Sequence, residues 1–177
     1  MVPVIEQCLL GYNVTVFAYG HTGAGKSFTI MGESKKGVEG VLHNSCDLLM
    51  RRLAAKKEWV LTCQFVEIYN EQFRDLLALD CSSAVRIVED KKGCMALQGA
   101  REVTVSEGSE AFSIEEVLSQ GMRNRSVGGT QANAQSSRSH SIFTFSIQFK
   151  SDEGRLCKSK LNIIDLAGSE RTGETNA

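Results

Sequence analysis

Proline occurs once in 177 residues, at Pro3, and no tract of low complexity or internal repeat interrupts the chain. Proline-rich stalks and repeat arrays are therefore excluded. A dominant charge is lacking as well: 20 Lys and Arg face 21 Asp and Glu, a formal net charge of −1. No wholesale electrostatic partner is implied, and binding to nucleic acid or another polymer would need a local patch. No apolar run approaches the roughly 20 residues of a membrane-spanning helix. The opening M-V-P-V-I-E-Q-C-L-L is too short and too acidic for a secretory signal. The six cysteines form no C-x-x-C pair and no zinc-like spacing. They read as reduced thiols serving as small hydrophobes, which sets the expectation of a cytoplasmic protein without membrane insertion. The length is enough for one well-buried core.

What is present is more telling. Gly20-His21-Thr22-Gly23-Ala24-Gly25-Lys26-Ser27 is a phosphate-binding loop, entered from the β-type run Val14 to Tyr19 and left through a helix-compatible stretch with Phe28, Ile30 and Met31. Glycine lets the backbone curl around an anion so that several N–H groups point at one phosphate. Lys26 supplies a mobile charge for the outer phosphates, and the Ser27 hydroxyl suits magnesium. The competing reading, a chance match in a turn, fits poorly with a strand before the loop and a helix after it.

Along the chain, Val4 to Leu10 reads as the end of a helix closed by Gly11. Gly32 to Gly40 reads as a polar surface loop and Val41 to Leu53 as a helix. Trp59 to Tyr69 reads as a strand, and Glu71 to Leu79 as a short helix or turn. Val85 to Val105 carries short β runs split at Asp90-Lys91-Lys92-Gly93. Ser109 to Arg125 is amphipathic, with Ser113 and Glu116 placed for a capping box. Ile142 to Phe149 alternates strictly, and Leu161 to Leu166 is a last strand. Strands separated by helices predict an α/β domain over residues 1–177: a three-layer sandwich of the P-loop NTPase type. Its central sheet is expected to be mixed but mostly parallel, with helices on both faces.

Two further segments suit a nucleotide-sensing site. Asn133 to His140, N-A-Q-S-S-R-S-H, packs hydroxyls, an amide and a guanidinium into one polar run. A γ-phosphate with its magnesium needs such ligands, although a solvated serine-rich linker is the bland alternative. Asp165 ends the last β run, where a carboxylate can hold magnesium directly or through water, or merely cap a strand. The Gly168 N–H can approach a phosphate unobstructed. Glu170 is either functional or a solvated acid.

The blocks A-Y-G-H-T-G-A-G-K-S, F-V-E-I-Y-N-E-Q-F-R-D-L-L, S-S-R-S-H-S-I-F and D-L-A-G-S-E occur in that order, and through them the chain resembles a kinesin motor domain. The resemblance implies an ATPase that works on microtubules in the cytoplasm, with ATP and Mg2+ bound. It implies that Lys26 holds the β/γ-phosphates, that Ser27 and Ser137 ligate magnesium, and that Asp165 holds the ion through water. Gly168 would sense the γ-phosphate. Asn133, Ser136 and Ser137 would belong to switch I, which positions the attacking water. Arg138 and Glu170 would form a salt bridge that closes the site, with Glu170 helping to draw a proton from the water. Tyr12 and Phe28 match positions that pack on adenine; two aromatic core residues are the equal alternative.

Departures are mild. His21 stands where the family usually has glutamine, Ser27 where it has threonine, and His43-Asn44 where a proline-containing pair is usual. The resemblance also implies a domain incomplete at both ends. The family's first strands, with an R-x-R-P segment on the adenine, and its main filament-facing helices would lie outside residues 1–177. The Val85–Val105 lobe, with Lys91 and Lys92, would remain as a lesser microtubule contact. Two other classes of function compete. A P-loop GTPase would need a guanine-reading N-K-x-D or T-K-x-D segment, and the chain has none. A non-hydrolysing, truncated microtubule-binding or regulatory module is the alternative left standing.

Overall fold

The computed structural model describes residues 1–33, 36–78, 84–89, 93, 95–106, 114–127, 137–151 and 153–170. In chain order the elements are α1 (Val2–Leu9), β1 (Val14–Ala18), α2 (Lys26–Met31), β2 (Gly32–Glu33), β3 (Val38–Glu39), α3 (Val41–Leu53) and β4 (Lys57–Tyr69). There follow β5 (Gln72–Asp75), β6 (Arg86–Glu89), β7 (Met95–Gln98), β8 (Val103–Ser106), α4 (Ile114–Val127), β9 (His140–Lys150) and β10 (Leu156–Asp165). The main sheet runs β1-β10-β9-β4-β5, with β8 also paired to β4.

Alternation decides which way each strand faces. Phe143, Phe145, Ile147 and Phe149 of β9, Leu161 and Ile163 of β10, and Leu61, Cys63 and Phe65 of β4 all point to one buried face. The rings of Phe65 and Phe143 sit 5.1 Å apart and tilted, a favourable aromatic geometry. Ile5 and Cys8 of α1, Ile30 of α2, Leu42, Leu49 and Leu53 of α3, and Val117 and Leu118 of α4 join the same cluster. All four described helices thus cover this one face, where helices were expected on both. Over the other face lies the β6–β7 hairpin, whose Ile87, Met95 and Leu97 line a cleft of about 300 Å³ against Gln64, Ile142 and Ile164.

The α/β class is as expected, and the pairing within the sheet is a finding. Among the described strands, β1 and β10 run parallel, whereas β10–β9, β9–β4, β4–β5 and β4–β8 are antiparallel. Short connections enforce this for β4–β5 and β9–β10, because a few residues can reverse a chain but cannot carry a crossover; β4 meets β8 and β9 across long intervening segments. The segment expected as a helix or turn from Glu71 is the strand β5. Asn70 and Glu71 both take positive φ, at 49° and 61°, and fold Gln72–Asp75 back onto β4. The loop from Gly32 contains the small ladder β2–β3. Ser113 and residues 90–92 fall outside the described residues. Among the described residues no helix is long and apolar enough to cross a membrane.

Gly121 on α4 shows how closely the helices sit. A Cβ there would overlap Cδ1 of Phe65 and come within 2.8 Å of its Cε1. Gly121→Ala is therefore expected to cost about 1–3 kcal/mol by overpacking. That outweighs the ~1 kcal/mol by which alanine is the better helix former. A urea midpoint lowered by the substitution is the expected reading, and a raised midpoint contradicts this packing.

Candidate nucleotide site

The sheet brings the separated segments together by register. Ala18, the last residue of β1, is paired with Asp165, the last of β10. The phosphate loop and the D-L-A-G-S-E segment therefore leave the sheet side by side. Gly23 and Gly25 take φ of 81° and 86°, values that a side chain resists, and this lets the loop curl. Lys26 Nζ donates to the carbonyls of Gly20 at 2.9 Å and His21 at 2.8 Å, across the mouth of the curl. The Gly20 carbonyl also accepts the Ser169 N–H at 3.1 Å.

A cleft of about 270 Å³ opens above the loop, lined by Thr22, Gly23, Gly25, Lys26, Ser27, Phe28, Ser137 and Leu166. Ser27 Oγ donates to Asp165 Oδ2 at 2.6 Å. The Gly168 N–H donates to the Ser137 carbonyl at 2.8 Å, which ties the serine-rich segment to the glycine. His140 Nδ1 accepts the Ala167 N–H at 3.1 Å. Three stretches distant in sequence thus meet at one opening. Ser136 and Asn133 lie outside the described residues.

The donor set fits a hard divalent cation. Asp165 is 1% exposed, and its Oδ1 has no hydrogen-bond partner among the described residues. An orphaned buried carboxylate oxygen beside a serine hydroxyl, with Ser137 across the cleft, suits magnesium, which takes one or two protein oxygens and completes its shell with phosphate and water. Among the described residues no group of three His, Cys, Asp or Glu side chains converges, so a cage made wholly of protein is not what this site offers.

A model of the kinesin motor domain family matches residues 1–177, the whole chain. The chain belongs to that family. It is 41% identical to the human kinesin-like protein KIF15 over 191 aligned residues, which take in 98% of the chain and 13% of that protein. It is 37% identical to the kinesin-like protein bimC of Emericella nidulans, with 100% of the chain and 16% of that protein covered. A solved structure of a fast kinesin superposes with a TM-score of 0.85 at 38% identity, covering 99% of this chain and 50% of that one. The fold is thus the P-loop NTPase type of the kinesins. The chain spans about an eighth to a sixth of the curated relatives' length.

Within this kinesin fold, Glu170 behaves distinctively. Its carboxylate accepts the Thr22 hydroxyl and, at 2.9 Å, the Thr22 N–H. The resemblance implied an ion pair with Arg138; in this conformation the carboxylate is docked on the phosphate loop, and Arg138 makes no ion pair among the described residues. The Thr22 hydroxyl, then the backbone N–H groups of Glu170 and Thr22, and lastly the Lys26 charge hold the Glu170 carboxyl down at about 2, against an ordinary 4.5. Its pKa is depressed in the folded state, so this contribution to stability is complete above pH 4.5 and fades as pH falls toward 2. Thr22→Val should return the carboxyl toward its ordinary range, read as the midpoint of its 13C shift. A midpoint left near 2 contradicts the assignment.

Tyr12 and Phe28 are 61% and 50% exposed, so neither is a core residue. Phe28 lines the cleft, whereas Tyr12 stands on the turn after α1, its N–H bonded to the Gln7 carbonyl at 3.1 Å.

Two charged residues of the site escaped the sequence reading. Arg125 Nη1 reaches Asp165 Oδ2 at 2.9 Å, and Arg125 Nε lies 3.8 Å from Glu67 Oε1. Glu67 also accepts the Ser139 hydroxyl at 2.9 Å. The signal was there in each case. Glu67 holds an inward position of an alternating strand, in phase with Phe65, and Arg125 continues the apolar stripe of Leu118, Gly121 and Met122.

Proposed function

We propose that this chain is the nucleotide-binding and nucleotide-sensing part of an ATP-driven microtubule motor on the cytoskeleton. The observation that supports the reading is that Lys26, Ser27 and Ser137 line one cleft, while Asp165, Gly168 and Glu170 are hydrogen-bonded to its lining residues Ser27, Ser137 and Thr22. That set answers what phosphoryl transfer asks of a protein: positioning and charge stabilisation, with no covalent nucleophile.

The loop amides and Lys26 hold the β- and γ-phosphates, with Lys26 exchanging its carbonyl partners for phosphate oxygens. Ser27 and Ser137, with Asp165 through water, would hold magnesium, which would supply positive charge against the phosphates. The Gly168 N–H turns from the Ser137 carbonyl to the terminal phosphate, and so reports its presence to the segments on either side. A carboxyl held at about 2 is a weak base, so Glu170 must leave Thr22 before it can help draw a proton from the attacking water. Once released, it is free to meet Arg138. The docked and released positions of Glu170 then form the two states of a switch.

The test is phosphate release from Mg-ATP by the full-length protein, with and without polymerised tubulin. Stimulation by microtubules is expected. ATP binding without hydrolysis under either condition favours the non-hydrolysing regulatory module instead.

A further inference from the structure

We propose that His140 is a positioning residue: its ring holds the Ala167 amide in place, so that the neighbouring Gly168 amide alone turns between the Ser137 carbonyl and a terminal phosphate. The proposal deepens the nucleotide-sensing reading above and rests on it. It starts from three successive amides, each held by a different part of the chain. The Ala167 N–H donates to Nδ1 of His140, the first residue of β9, at 3.1 Å. The Gly168 N–H donates to the Ser137 carbonyl at 2.8 Å, and the Ser169 N–H to the Gly20 carbonyl of the phosphate loop at 3.1 Å.

The register explains why a side chain takes the first of these amides. β10 is paired with β1 as far as Ala18–Asp165 and with β9 as far as Ser141–Asp165, and both ladders end there. Ala167 lies beyond the end of β10. Past Ser141, β9 has one more strand residue to offer, and it is the ring of that residue, His140, that reaches the departing chain. His140 is itself anchored. It stands opposite Ile68 on β4 and between Ser139 and Ser141, both buried. The Ala167 amide is thus tied to the sheet, whereas the Gly168 amide is tied to the serine-rich segment ahead of β9.

This division has a mechanical consequence. A peptide unit is planar, so an N–H is redirected by rotating its whole plane about the line between two Cα atoms. The Gly168 N–H belongs to the plane between Ala167 and Gly168. The plane before it is pinned through His140, and the plane after it through Gly20. The middle plane can therefore turn while the chain on either side stays in place. Gly168 carries no side chain to obstruct the turn, where a Cβ would stand 2.5 Å from Thr22 Oγ1. Without the His140 bond the motion would spread into Leu166, and the bound arrangement would have to be selected from many.

The histidine is chemically suited to this task. A backbone N–H only donates, so Nδ1 presents its lone pair and the ring proton sits on Nε2. The ring is thus a neutral acceptor on a short, stiff side chain. A carboxylate in its place would add negative charge beside the phosphates.

The test compares His140→Leu, which removes the acceptor, with His140→Asn, whose Oδ1 is attached to Cγ as Nδ1 is and can accept the same N–H. Affinities of the full-length protein for ADP and for a non-hydrolysable ATP analogue are measured, with thermal melting alongside. The bond from Gly168 to the terminal phosphate exists with the analogue and not with ADP. The ratio of analogue affinity to ADP affinity should therefore fall about 10-fold in His140→Leu, the scale of a hydrogen bond to a charged group. His140→Asn should restore most of it. A lowered melting temperature with the ratio intact is a merely structural role and overturns the proposal. So does a lowered ratio that His140→Asn does not recover. If His140→Leu does not fold, amide hydrogen exchange in the wild type decides. Ala167 should stay protected with either nucleotide while Gly168 responds to which one is bound; fast exchange at Ala167 in either state overturns the pivot. A wild type that binds neither nucleotide removes the nucleotide reading itself, an outcome distinct from normal binding with an indifferent His140.

Discussion

Lys26→Ala is expected to weaken ATP binding by roughly 30- to 1,000-fold, the effect of losing about 2–4 kcal/mol of charge-assisted hydrogen bonding to phosphate. The argument is one of position. Lys26 Nζ bridges the Gly20 and His21 carbonyls at the mouth of the loop, so it reaches the outer phosphates by exchanging partners, with little movement of its stem. Those two contacts also brace the loop, and the thermal melt should be measured with the affinity. A small shift in melting beside a large loss of affinity is the expected pattern. Unchanged affinity in a folded Lys26→Ala protein refutes the assignment of this lysine to phosphate.

Glu170→Ala is expected to act on the other side of the cycle. Hydrolysis should fall by about 10²- to 10⁴-fold, the usual contribution of a positioned proton acceptor, while ATP affinity changes little. The geometry separates the two effects, because Glu170 touches Thr22 and its own backbone, whereas Lys26 and Ser27 face the cleft. Glu170→Gln sharpens the test. It retains an acceptor for the Thr22 donors but no longer attracts a proton, so the loop stays tied while turnover fails. Equal losses of binding and turnover in either variant contradict a role in water activation.

Much of the site was legible because its chemistry is local. Gly20 to Ser27 needs no partner to be recognised: the glycines, the lysine and the hydroxyl are consecutive, and β1 and α2 frame them as expected. The strict alternation of β9 and the helical spacing of Val41–Leu53 were equally readable, since each is dictated by one buried face. What was not legible depends on contacts between distant segments. β5 became a strand because Asn70 and Glu71 turn it back onto β4, and Asn-Glu is not one of the glycine-bearing pairs that announce such a turn. Among the described strands the sheet is more antiparallel than expected for the same reason: β4 pairs with β8 and β9, segments far from it in the chain, and composition does not encode such pairings. Arg125 and Glu67 joined the site through packing between positions 67, 125 and 165. Their sequence signature, a charge in an inward-facing phase, says that a partner is needed without saying which.

The docking of Glu170 on Thr22 gives this fold a mechanical reading. A Cβ on Gly168 would stand 2.5 Å from both Thr22 Oγ1 and Glu170 Oε1, so a side chain at 168 would collide with the Thr22–Glu170 contact. The glycine, the threonine and the acid are therefore packed against one another. That coupling, and not the phosphate loop alone, is what would let one segment register what another has bound.

The most direct test of the account is ATP binding by the full-length protein, titrated calorimetrically with Mg2+ and again with Mg2+ chelated. Saturable binding of one ATP per chain, weakened when the ion is removed and weakened again by Asp165→Asn, is the result predicted here. Failure to bind ATP, or binding indifferent both to Mg2+ and to Asp165, would contradict the claim that these three segments form one magnesium-dependent nucleotide site.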